Sequence, residues 1–149
     1  MLRRVPEGVT DAVAAAIQHP DGGKRLAEAW ATIFGLNPNP SYAYALAIKA
    51  VEDAAIPVVC PKKKDAILGD VIGDLDNNPR WHLPHKREHT NAPAREVLVS
   101  MLRMIYRGQH DRHGGMPVVR SDMGQAEAES AVMLAVTLVG WYGTGKVQR

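Results

Sequence analysis

What most constrains this chain is the interval at which its apolar residues return. In "KRLAEAWATIFG", Lys24 to Gly35, they fall at Leu26, Trp30, Ile33 and Phe34, and in "SYAYALAIKAVEDAA", from Ser41, at Tyr44, Ile48, Val51 and Ala55. Steps of three and four keep these side chains on one face of an α-helix, whereas a strand would scatter them over both faces. The pattern recurs in "KKKDAILGDVIGDL" (Ile67, Leu68, Val71, Ile72, Leu75), although each of its two glycines costs about 1 kcal/mol in a helix. It returns from Ala94 to about His110, through Val97, Leu98, Met101, Leu102 and Ile105. A last helix is expected from Asp122 to Tyr142, polar at first and apolar afterwards, with Val132, Met133, Val136 and Val139 as core or as part of a homodimer face. Thr10 before "DAVAAAIQ" offers the N-cap of a short first helix, which "HPDGG" ends.

Punctuation between the helices is equally plain. Gly35 precedes "LNPNP", Ser41 is placed to cap the third helix, and that helix should end near Pro57. "DNNPRWHLPHKREHTNAP" reads as an irregular connection long enough to carry function. With alanine abundant, β-branched alternation scarce and a single phenylalanine, the expected fold is all-α, a compact bundle of five or six helices. One domain over residues 1–149 accounts for it, with 1–20 a peripheral N-terminal segment and 143–149 a flexible tail. A chain of 149 residues buries roughly 70% of its unfolded surface and needs no staple.

Several function classes drop out. Cys60 is the single cysteine, so no internal disulfide or multi-cysteine metal site is available, and a reducing cytoplasm is the natural setting. The longest apolar run, Ala131 to Tyr142, is broken by Thr137 and Gly140 and falls short of the roughly 20 residues of a membrane span. "MLRRVPEGVT" has no apolar core, so neither a signal peptide nor a membrane anchor is expected. "GWYGTGKV" nearly matches a phosphate-binding loop, but Val147 replaces the magnesium-binding hydroxyl, and no strand precedes it.

Net charge is only +2, yet it is unevenly spread. Between Arg80 and Arg120 lie eight Arg or Lys against three acids, with five of the six histidines. Such a segment suits a polyanion. Within it, "RGQHDRHGG" spaces Arg107, His110 and His113 by three, along a slanting ridge if the helix continues. Histidine titrates near neutrality and moves protons, and arginine grips phosphate bidentately as charge gathers on it. Together they match the needs of a ribonuclease that works without metal. The plain alternative is that Arg and His near a helix C-terminus offset its macrodipole in solvent.

Arg107, five residues, then His113 followed by glycine resembles the R-x(4-6)-H motif of HEPN domains, small helical bundles found in RNA-cleaving toxins and abortive-infection proteins. "AWATIFGLNPNPSYAYALAIKAVEDAAIPVVCPKKKDAILGDVIGDLDNNPRW", Ala29 to Trp81, is similar to the helical segment preceding that motif in relatives of the abortive-infection C-terminal domain. The resemblance implies a homodimer whose motifs face each other across a cleft. It implies RNA cleavage to a 2′,3′-cyclic phosphate, with Arg107 holding the phosphate and His113 as general acid or base. His110, Asp111, Arg103 and Arg112 would support the site, and no cofactor or metal is expected. Gly108 departs from the family, which often has a polar residue there. A silent dimerisation or RNA- or protein-binding module is the other reading, with an antitoxin or regulatory partner compatible with both, and a helical interaction protein is a third.

Two other groups draw notice. In "RWHLPHKREHT", Trp81 offers a stacking face beside Arg80, Lys86 and Arg87, a plausible RNA contact. His82, His85, His89 and Glu88 have zinc-binding chemistry, but Pro84 breaks their spacing and Lys86 and Arg87 repel a cation, so a basic loop is expected instead. Lys62 to Lys64 precede a helix and are read as solvated, with phosphate binding the alternative.

Overall fold

Six helices carry residues 6–106 and 123–149, the part of the chain that the computed structural model describes, and no strand occurs among those residues. They are α1 (Glu7–Ile17), α2 (Gly23–Phe34), α3 (Pro40–Val59), α4 (Leu68–Asn77), α5 (Ala94–Tyr106) and α6 (Gln125–Gly143). The expected all-α bundle is what the chain forms. At its centre, α3 packs against α2, α4 and α6, while α1 lies on α6 and α5 lies on α4 with a slight touch on α6.

Small side chains explain why α3 is central. Ala43, Ala47, Ala50, Ala54 and Ala55 are buried around several sides of it, so neighbouring helices approach closely. At Gly22, before α2, an added Cβ would lie 2.6 Å from the Ala50 carbonyl oxygen. Larger residues fill the remaining space: Leu26 and Ile33 from α2, Leu68 and Leu75 from α4, Leu98 and Leu102 from α5, and Leu138 from α6 are fully buried.

Element ends differ from the sequence expectations for local reasons. The first helix begins at Glu7 after Pro6, and the Thr10 hydroxyl bonds back to the Pro6 carbonyl at 3.3 Å from inside the helix. Its Val13 and Ala16 are buried, so the N-terminal segment contributes to the core beyond a peripheral role. Asn39 caps α3 in place of Ser41, its side chain accepting the Tyr42 N–H at 3.2 Å, and Pro40 supplies the pre-set φ of a first helical residue. Pro57 lies inside α3, which runs on to Val59, since a proline this near the end removes only one late bond. The fourth helix starts late, at Leu68, because Asp65 takes a left-handed φ of 55° ahead of it.

The C-terminus also corrects an expectation. Beyond α6, Gly145 (φ 69°) donates to Tyr142 O at 3.3 Å and Lys146 donates to Trp141 O at 2.9 Å, the paired bonds of a Schellman cap. Val147 is then buried, and Gln148 exchanges both backbone bonds with His82, at 2.7 and 3.1 Å. Residues 143–149 are thus tied to the bundle rather than free. Gly140 and Gly143 belong to the last turns of α6, so no phosphate loop forms there.

Candidate nucleic-acid interface

The chain reaches the Arg107–His113 motif from the C-terminal end of α5, and four side chains fix that helix. Arg95 reaches the exposed end of α4, donating to the Leu75 and Asp76 carbonyls at 2.9 Å each and satisfying groups that a helix end leaves open. Arg103 pairs with the Asp76 carboxylate at 2.8 Å. From the central helix, the Tyr44 hydroxyl donates to the Ile105 carbonyl at 2.8 Å, in the last turn of α5. Tyr106 lies across Gly69 of α4, where an added Cβ would come within 3.3 Å of its hydroxyl. Arg107, His110, Asp111, Arg112 and His113 themselves lie outside the described residues.

The N-terminus of α4 is held by carboxylates. Glu52, buried in α3, accepts the Leu68 N–H at 2.7 Å through one oxygen and the Lys49 ammonium at 2.9 Å through the other. Asp70 accepts the Ile67 N–H at 2.9 Å and pairs with Lys63. The Lys63 ammonium, then the Ile67 N–H, hold the Asp70 carboxyl below the usual carboxylate range. This helix end is therefore served by the protein's own anions, and Lys63 of the triple lysine is matched by one of them. Cys60 lines the neighbouring 430 Å³ groove, but burial pushes its thiol pKa up, away from nucleophilic use.

Of the basic residues read as RNA contacts, Arg80, Lys86 and Arg87 are exposed on the connection between α4 and α5. Trp81 is not. It is only 4% exposed, packed in the core with Leu83 beside the His82–Gln148 bridge, and the Arg149 guanidinium lies 5.4 Å from its ring. Its expected role as a stacking platform is therefore corrected: no ring face is free for a base.

A different tryptophan takes a surface position. Trp141, half-buried near the end of α6, joins Leu83, Ala94 and Val97 in the apolar wall of a 220 Å³ pocket whose other lining residues include His85, Arg87, Glu88 and His89. Local bonds set the histidines: His89 Nδ1 accepts the Asn91 N–H at 3.0 Å, and His82 Nδ1 lies 3.1 Å from the Arg80 carbonyl. Among the described residues no group of three or more His, Cys, Asp or Glu is placed to hold a metal ion, and no helix is long and apolar enough to cross a membrane. Trp141 was hidden in the sequence inside the failed "GWYGTGKV" motif, with no basic neighbour but Lys146 to signal a site. Comparison of the chain with protein-family models, with curated proteins and with solved structures finds no match.

Proposed function

We propose that this chain is a HEPN-like, metal-independent endoribonuclease of the defence or toxin kind, working as a homodimer on RNA in the cytoplasm. One observation carries the reading: Arg107 and His113, with five residues between them, follow directly on α5, whose last turn is anchored to the central helix through Tyr44. Exposed Arg80, Lys86 and Arg87 supply positive charge on the connection that leads into the N-terminal end of α5. Arg103 offers less than its sequence position suggests, because Asp76 already offsets it.

In this mechanism one His113 takes the proton of a ribose 2′-hydroxyl, and the oxygen attacks the adjacent phosphorus. Arg107 holds the non-bridging oxygens as negative charge builds. The bond to the 5′-oxygen breaks, a protonated His113 of the second protomer returns a proton to that leaving oxygen, and a 2′,3′-cyclic phosphate remains. The test is cleavage of labelled tRNA and structured RNA in EDTA by wild type and His113→Ala. Activity lost in the variant supports the enzyme. A second reading, a silent RNA-binding module, is favoured by Gly108, and it predicts salt-sensitive binding without cleavage by either protein.

A further inference from the structure

The pocket beside Trp141 is lined, among the described residues, from outside the Arg107–His113 motif. At 220 Å³ it is smaller than the roughly 300–1,000 Å³ of pockets for drug-sized ligands, which limits its occupant to about one ring system. Its apolar wall is Leu83, Val97 and the half-buried Trp141, an aromatic surface of the kind on which an unpaired base stacks. Its polar lining is mixed in sign, with Glu88 among Arg87, His85 and His89. A site for a bare anion would have no use for Glu88.

We propose that this pocket receives a single unpaired guanosine of an RNA strand, an inference that rests on the RNA reading above. Guanine is the base that presents two adjacent N–H donors, N1 and N2, to a carboxylate, and Glu88 is acceptor-only when ionised. Next to those donors guanine carries the O6 acceptor. His89 lines the same pocket, and with Nδ1 accepting the Asn91 N–H its neutral ring carries the proton on Nε2, the nitrogen left to donate to O6. Arg87 is the group for the nucleotide's phosphate. Adenine would set its lone N6 donor and an unprotonated N1 against Glu88, leaving the carboxylate facing a lone pair. The pocket would hold the strand in one register while the Arg107–His113 motif acts elsewhere on it.

Binding decides this without any cleavage. The wild-type chain is titrated at low salt with 5′-GMP, AMP, CMP and UMP, by calorimetry, and then with a uridine hexamer that does or does not contain one guanosine. One saturable GMP site per chain is expected, at least about tenfold tighter than AMP, with the guanosine hexamer favoured over the all-uridine strand by a similar factor. Glu88→Gln, at an exposed position, erases the preference for GMP over AMP, and Arg87→Ala weakens GMP more than guanosine. Equal affinity for all four nucleotides, no saturable site, or a preference that survives Glu88→Gln overturns the proposal. So does displacement of GMP by inorganic phosphate at matching concentration, or a preference for free GMP with none among the hexamers. Failure of the nuclease reading looks different: no RNA is cut, yet the guanosine preference is intact.

Discussion

Replacing Glu52 tests whether a buried carboxylate joins the central helix to the pair that carries the motif. Glu52 is 6% exposed and its oxygens accept the fully buried Leu68 N–H at 2.7 Å and the Lys49 ammonium at 2.9 Å. Glu52→Ala removes both acceptors. Hydrogen bonds involving a charged group contribute about 1.5–3 kcal/mol each, and an N–H left buried without a partner costs about 1–3 kcal/mol. Relief from burying the carboxylate offsets part of this. The net expectation is a loss of about 3–4 kcal/mol, which for a chain of this length lowers Tm by about 10 °C. Glu52→Gln keeps an acceptor for Leu68 but loses the charge and turns an NH2 donor toward Lys49, whose partly exposed ammonium can turn to water, for about 1–2 kcal/mol. Urea and thermal unfolding followed by circular dichroism measure both. An alanine variant within about 0.5 kcal/mol of wild type, or a glutamine variant as damaged as the alanine one, refutes the reasoning.

Three further outcomes follow from the geometry. Tyr44→Phe removes the bond to the Ile105 carbonyl, so it should cost about 1 kcal/mol and speed amide exchange in the last turn of α5; unchanged exchange there would show that the hydroxyl does not hold this end. Gly145→Ala places a Cβ in open space but at φ 69°, so a loss of about 1 kcal/mol in urea unfolding would come from backbone strain alone, and no loss would discount the Schellman cap. Asp70 has a lowered carboxyl pKa, so its stabilisation is in force above the ordinary carboxylate range near pH 4 and is lost as pH falls through the lowered value. Asp70→Asn should therefore flatten the fall in stability on acidification, and an unaltered acid profile would contradict that assignment.

The helices were legible because each was written in a local period. Leu26, Ile33, Leu98, Leu102 and Ile105 all stand in the buried faces that their spacing indicates. Ends were harder. Pro57 is ordinarily a stop, but its place in the third-last position let α3 continue, and Asn39 with Pro40 took the cap that Ser41 also suited. Burial set by distant partners left the faintest trace. Glu52 stands between Val51 and Asp53 and reads like any helix-surface acid, with no hint that Leu68, sixteen residues on, would meet it. Trp81 sits among charges and so read as exposed, yet it is buried beside the His82–Gln148 backbone bonds and under the Arg149 guanidinium, partners from the far end of the chain. Trp141 was missed for the complementary reason, since helical periodicity marks an apolar residue as core and does not report where a helix face runs out of partners.

The proposed nuclease would cut RNA at the Arg107–His113 motif through the ribose 2′-oxygen. The most direct measurement is the end group left when a defined RNA is incubated with excess protein in EDTA, alongside the same RNA with a single 2′-deoxy substitution at the cleaved position. The expected result is a 2′,3′-cyclic phosphate on the upstream product, no cut at the 2′-deoxy position, and no product with His113→Ala. Cleavage that leaves a 5′-phosphate, that proceeds past the 2′-deoxy substitution, or that persists in His113→Ala would contradict it.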